Sequence, residues 1–120
     1  MRDVERPHAL PSGLRNEGEG PAGRRRYRDV RYSRWRLVVE LDGRAVHPED
    51  KRELDDLRDN EVCLQGERTL RYGWRSVIGA RCLVAGQVGA GLRAGGWPGR
   101  PVACGVGCSA PTTETLAVAI

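Results

Sequence analysis

One stretch constrains this chain more than any other: Arg34-Trp35-Arg36-Leu37-Val38-Val39-Glu40-Leu41-Asp42-Gly43. Its β-branched and leucine residues, bounded by Arg and Gly, predict a strand apolar enough to be buried on both faces. Side chains alternate along a strand, so Val38, Glu40 and Asp42 share one face while Leu37, Val39 and Leu41 share the other. Two carboxylates on one face of a buried strand are costly unless something compensates them. The compensating group must be a divalent metal, arginine side chains, or water at the open end of the strand.

The remaining 110 or so residues leave room for one small domain, since the whole chain has 120. Hydrophobic residues make up 39% of it and gather between Leu37 and Leu92, which predicts a modest core. The basic side chains are almost all arginine, with Lys51 the only lysine, and the net charge is +4. That balance suits a polyanionic partner without demanding one. Met1-Arg2-Asp3-Val4-Glu5-Arg6 has no apolar segment of the secretory type, and Leu116–Ile120 is far too short to span a bilayer. A cytoplasmic chain is expected, with no membrane partner. Cys63, Cys82, Cys104 and Cys108 are then expected as reduced thiols.

Along the chain, residues 1–23 carry Gly and Pro too often for a long element and predict an irregular arm. Residues 24–32 alternate, with Tyr27, Asp29 and Arg31 on one face and Arg28, Val30 and Tyr32 on the other. Ser33-Arg34 predicts a tight connection into the acidic strand, so the two strands pair antiparallel and Asp29 approaches Glu40. Pro48, Glu49 and Asp50 suit the start of a helix running to Gln65 and stopping at Gly66, with Leu54, Leu57 and Leu64 as its buried stripe. Thr69–Tyr72 predicts a further strand, parallel to the acidic one because a helix intervenes. Residues 80–94 predict a closing helix with Leu83, Val84, Val88 and Leu92 at helical spacing; its glycines cost roughly 1 kcal/mol each relative to Ala. Gly and Pro dominate from Gly95, and residues 98–120 are expected to be a flexible tail.

This order, strand–strand–helix–strand–helix, predicts an α/β domain: a small mixed sheet flanked by helices, with Asp29, Glu40 and Asp42 at one edge. Convergent carboxylate oxygens are hard ligands suited to Mg2+ or Mn2+. An ion held there activates water and neutralises charge developing on a phosphate.

Several segments together resemble a known family: Tyr27–Val30, Leu37–Gly43, His47, Arg58-Asp59-Asn60, Gly66 and Thr69–Trp74. The chain resembles, over roughly Val4 to Cys108, the bacterial very-short-patch-repair-like endonuclease domain of the PD-(D/E)XK restriction-endonuclease-like superfamily. Many bacterial members carry this domain behind an antitoxin-like one. The resemblance implies a nuclease-like core over residues 24–97 and metal-binding roles for Asp29, Glu40 and Asp42. It also implies a histidine after the acidic strand; His47 stands there, as a general acid or base or as a phosphate contact. The superfamily's Glu-x-Lys is Glu40-Leu41-Asp42 in this chain. Relatives begin with an acidic helix upstream, so residues 1–23 are expected to be the remnant of a longer domain.

DNA is the expected partner. Arg28, Arg34, Arg36 and Arg58 are candidate phosphate contacts, interleaved with Tyr27, Tyr32 and Trp35. Two other readings stay open: a DNA-binding module without catalysis, and a degenerate fragment of a longer antitoxin-fused protein. Cys104 and Cys108, with Gly-Val-Gly between them, can hold a soft metal or form a disulfide, although a lone pair at this spacing ordinarily does neither.

Overall fold

The computed structural model describes residues 1–19, 25–42, 57, 60–61 and 63–119; the side chains at 16–19, 25–28, 42, 74 and 115–119 lie outside that description. His47, Lys51, Leu54 and Arg58 also lie outside the described residues, as does most of the helix expected over 48–65.

The fold is α/β, a four-stranded mixed sheet with flanking helices. A short helix α1 (Arg2–Glu5) precedes β1 (Leu14–Glu19) and β2 (Arg25–Tyr32). A 3-10 turn (Ser33–Trp35) and a left-handed Arg36, with φ of 54°, carry the chain into β3 (Leu37–Asp42). Then follow β4 (Arg68–Gly73), α2 (Trp74–Gly79), α3 (Arg81–Ala94) and α4 (Ala110–Ala119). The spatial order is β1-β2-β3-β4, with β1–β2 and β2–β3 antiparallel and β3–β4 parallel.

The core lies on one face of this sheet. Val30, Tyr32, Leu37, Val39 and Leu41 point to it and are buried, and α3 covers them with Val84, Ala85, Val88 and Leu92. Three of those α3 residues recur four apart, one stripe of a helix, and each buried Val or Leu contributes about 1.5–3 kcal/mol. Leu83, expected on that stripe, is 47% exposed. Leu57 and Leu64, expected to be buried, are exposed as well.

Two expectations for the ends of the chain are corrected. Residues 1–23 are not wholly irregular: Leu14–Glu19 pairs with β2 as an edge strand, and α1 docks against α3. Buried Glu5 fastens this arm. Its carboxylate accepts hydrogen bonds from the Tyr32 hydroxyl at 2.6 Å, the Gly13 N–H at 3.0 Å and the Arg15 guanidinium at 2.6 Å. Burial, and then the bond to Glu5, raise the Tyr32 phenol far above its ordinary range.

The tail is not loose throughout either. α4 packs along α3, and a Cβ placed on Gly86 would lie 2.5 Å from the Thr113 Cβ, so the helices approach as closely as they do only over a glycine. Arg93 of α3 holds buried Glu114 of α4 at 2.8 Å and donates to the Gly99 carbonyl at 2.8 Å.

Candidate functional site

The β2–β3 pairing sets Asp29 directly opposite Glu40. Directly opposed residues share a face, so the acids stand on the side of the sheet away from the α3 core. The same row continues to Asn16 on β1 and Arg71 on β4. Asp42 follows two residues after Glu40 at the C-terminal end of β3, level with Gly73 of the parallel β4. The acids therefore lie across the two inner strands of the sheet, which corrects the expectation from sequence that they line its edge. The outer position belongs to β1, whose strand the sequence conceals.

Electrostatics make this row demanding. Like charges directly across a strand pair repel. Asp29 is buried at 3% exposure, and Glu40 is mostly buried. Arg71 compensates Glu40, its Nε donating to Oε2 at 2.9 Å. Carboxylate oxygens are hard donors, of the kind that Mg2+ and Mn2+ take. Among the described residues the set holds Asp29 and Glu40; the Asp42 side chain and His47 lie outside them.

The candidate phosphate contacts are only partly assembled. Arg34 and Arg36 are exposed at the β2–β3 turn, and the Arg34 guanidinium lies over the Trp35 ring, 4.8 Å from its centroid. That stacking fits a cation–π contact. Arg31, Arg34, Tyr32, Trp35 and Trp97 line a cleft of about 500 Å3 there. From Leu37 at the turn to Glu40 the strand advances roughly 10 Å, so cleft and acids stand apart along the sheet. Arg31 is held by Glu67 at 3.2 Å. The Arg28 and Arg58 side chains lie outside the described residues.

A second cluster lies elsewhere in the fold, and it is tighter. His8, Cys82, Cys104 and Cys108 each present one ligand atom, and all four atoms lie within 4.8 Å of one another. His8 follows α1, Cys82 sits in the first turn of α3, and Cys104 and Cys108 belong to the connection before α4. Gly107, at φ of 79°, supplies the left-handed residue that brings Cys108 back beside Cys104. The His8 ring is 1% exposed, and its Nδ1 is 2.7 Å from the Val4 carbonyl. A carbonyl only accepts, so Nδ1 carries the proton and Nε2 presents its lone pair. The Cys82 and Cys104 sulfurs are 3.6 Å apart.

The thiols polarise one another. Cys82 is pushed up to about 11, first by its hydrogen bond with Cys108, then by burial and by Cys104. Burial pushes the Cys108 thiol up as well. Hydrogen bonds from the backbone at Cys104 and Ala110, joined by those from the Cys82 and Cys104 thiols, outweigh that and bring it down to about 6.

The chain matches no protein family, no characterised protein and no solved structure. The sites must be read from their own chemistry. Sequence reasoning missed His8 and Cys82, which lie far from Cys104 and Cys108 along the chain. The signal that was available was the Cys104/Cys108 pair itself, in a chain with only two histidines and four cysteines. Among the described residues no helix is long and apolar enough to cross a membrane.

Proposed function

We infer that this chain is a metal-dependent DNA endonuclease-like domain that hydrolyses phosphodiester bonds. One observation carries the reading: the strand register sets Asp29 against Glu40 on one face, with Asp42 following at the C-terminal ends of the parallel strands β3 and β4. In open α/β sheets that end is where ligands ordinarily bind, and the analogy supports the same placement in this sheet.

In this reading Asp29, Glu40 and Asp42 hold Mg2+ or Mn2+. When bound, the ion supplies an activated water and neutralises charge on the scissile phosphate. The protein's own contribution is positional. Arg71 orients the Glu40 carboxylate through the bond from its Nε. Arg34, Arg36, Arg28 and Arg58 grip the DNA backbone, and His47 moves a proton at the reacting oxygen, its ordinary pKa lying near neutrality. A cytoplasmic setting is the one in which such a domain meets DNA.

A nicking assay on supercoiled plasmid tests this. Mg2+- or Mn2+-stimulated cleavage is expected from the full chain and should fall at least ~100-fold in Glu40→Gln and Asp42→Ala. Unchanged cleavage in either variant refutes the assignment.

The Glu40–Arg71 ion pair and the Arg34–Trp35 stack favour one alternative, a DNA-binding module without catalysis. It requires binding that weakens steeply with salt and no cleavage in either metal.

A further inference from the structure

We propose that His8, Cys82, Cys104 and Cys108 form a closed zinc site that staples the N-terminal arm and the segment before α4 to the start of α3. The His8 ring is the decisive group. Its Nδ1–H is taken by the Val4 carbonyl, which leaves Nε2 an acceptor, buried and, among the described residues, without a hydrogen-bond partner. A buried lone pair left unmatched is costly, and the groups nearest to it in the cluster are three thiols. Thiols are weak donors, whereas as thiolates they and the imidazole bind one metal ion together.

The distances suit a single ion. A tetrahedral zinc with bonds of about 2.0–2.3 Å holds its ligand atoms roughly 3.4–3.8 Å apart. The Cys82–Cys104 separation of 3.6 Å is already at that value, and the outer limit of 4.8 Å leaves a small contraction. An iron–sulfur cluster distributes its thiolates over several metal atoms, which this compact set does not suit. A disulfide would consume two of the three thiols and leave Nε2 unmatched. The donor set, three soft thiolates and one imidazole, is that of structural zinc. The bond from Nδ1 to a backbone carbonyl is the outer contact that fixes the ring orientation of zinc-bound histidines.

Four protein ligands fill a tetrahedral shell, so no position remains for substrate and the role is to hold. The fold has reason to need it. Residues 95–109 form no regular element; Trp97 and Pro101 pack inward, but Val102, Ala103, Cys104, Gly105, Val106 and Gly107 are exposed, so the stretch that carries Cys104 has no apolar anchor of its own. One backbone bond, from the Val102 N–H to the His8 carbonyl at 2.9 Å, joins it to the arm. A single ion at the cluster links positions 8, 82, 104 and 108, closing long loops at one point. Small cores gain most from such staples.

The test uses the full chain, purified with reductant and without chelator. Elemental analysis is expected to give about one zinc per chain, falling below about a tenth of that in Cys108→Ser and in His8→Ala. Loss of fold in those variants would mimic loss of metal, so the further measurements keep four ligands in place. Cobalt added to the metal-stripped wild type should give the absorption of a tetrahedral thiolate site, bleached by zinc. His8→Cys should retain the metal and strengthen the thiolate-to-cobalt band. Thiol titration of the folded chain should find Cys63 reactive at once, since it is exposed, and the other three protected until a chelator is added. Asp42→Ala should leave the zinc content unchanged, which separates this site from the proposed nuclease site. A folded chain that takes up neither metal, that carries iron, or whose four thiols all react at once overturns the proposal.

Discussion

Replacing Arg71 with alanine should tighten Mn2+ binding, not weaken it. The Arg71 Nε is 2.9 Å from Glu40 Oε2, so an ion held by Glu40 must share that carboxylate with a guanidinium. At a separation of about 5 Å, one positive charge and a divalent ion repel by about 1.7 kcal/mol if the dielectric is that of water. Arg71 is half exposed, with side-chain exposure of 50%, so this aqueous figure is the appropriate one. Removing the charge should therefore improve affinity roughly 10-fold, at about 1.4 kcal/mol per factor of ten. Arg71→Lys, which keeps the charge, should stay close to wild type. Raising salt well above 0.1 M should shrink the difference, since the Debye length there falls below about 10 Å. Calorimetry of the four members of a cycle, wild type, Arg71→Ala, Glu40→Gln and the double variant, isolates the coupling. If Arg71→Ala binds Mn2+ no better than wild type, Glu40 is not a ligand and serves only as the structural partner of arginine.

Other consequences concern the scaffold. Tyr32→Phe should lower stability by about 1–3 kcal/mol in urea unfolding, because it withdraws one hydrogen bond from the buried Glu5 carboxylate; a neutral result would mean that Glu5 does not fasten the arm. Gly86→Ala gains about 1 kcal/mol in helix propensity but forces α3 against Thr113 and the Ala110 carbonyl, at about 1–3 kcal/mol. It should be neutral to destabilising, whereas Gly79→Ala, with nothing within 4 Å of the new Cβ, should not destabilise. Burial raises the Tyr72 phenol to about 12, and its hydroxyl donates to Gln87 at 2.9 Å. A raised phenol pKa means that the neutral form is favoured on folding. This contribution is full below pH ~10 and is lost as pH rises toward about 12. Tyrosinate absorbance of wild type minus Tyr72→Phe should show that late ionisation; a normal midpoint near ~10 contradicts the burial argument.

The elements written in the sequence are those whose own residues suffice to form them. β3 carries two valines and two leucines, and β2 alternates cleanly, so both appear where expected and bring Asp29 to Glu40. β4 and α3 fall within a residue or two of their expected ends. β1 was illegible because Leu-Arg-Asn-Glu-Gly-Glu has almost no strand propensity. It becomes a strand through pairing with β2 beside the Glu5 network, which is tertiary context. α4 was hidden for a related reason: Pro111, Thr112 and Thr113 are poor helix formers, and the helix rests on the groove that Gly86 opens in α3. The same glycines that weaken α3 as an isolated helix admit its neighbour. The acid pair could be read because strand alternation is a local rule, whereas the His8–Cys82–Cys104–Cys108 cluster depends on folding that brings residues a hundred apart together.

The most direct test of the account is isothermal titration of Mn2+ into the zinc-loaded chain, with Asp42→Ala as the control. One binding event in the wild type, lost in the variant, is expected if Asp29, Glu40 and Asp42 converge on a catalytic ion. A folded chain that shows no heat of binding, or an Asp42→Ala chain that binds as the wild type does, contradicts it, and the arginine-rich DNA-binding reading then stands in its place.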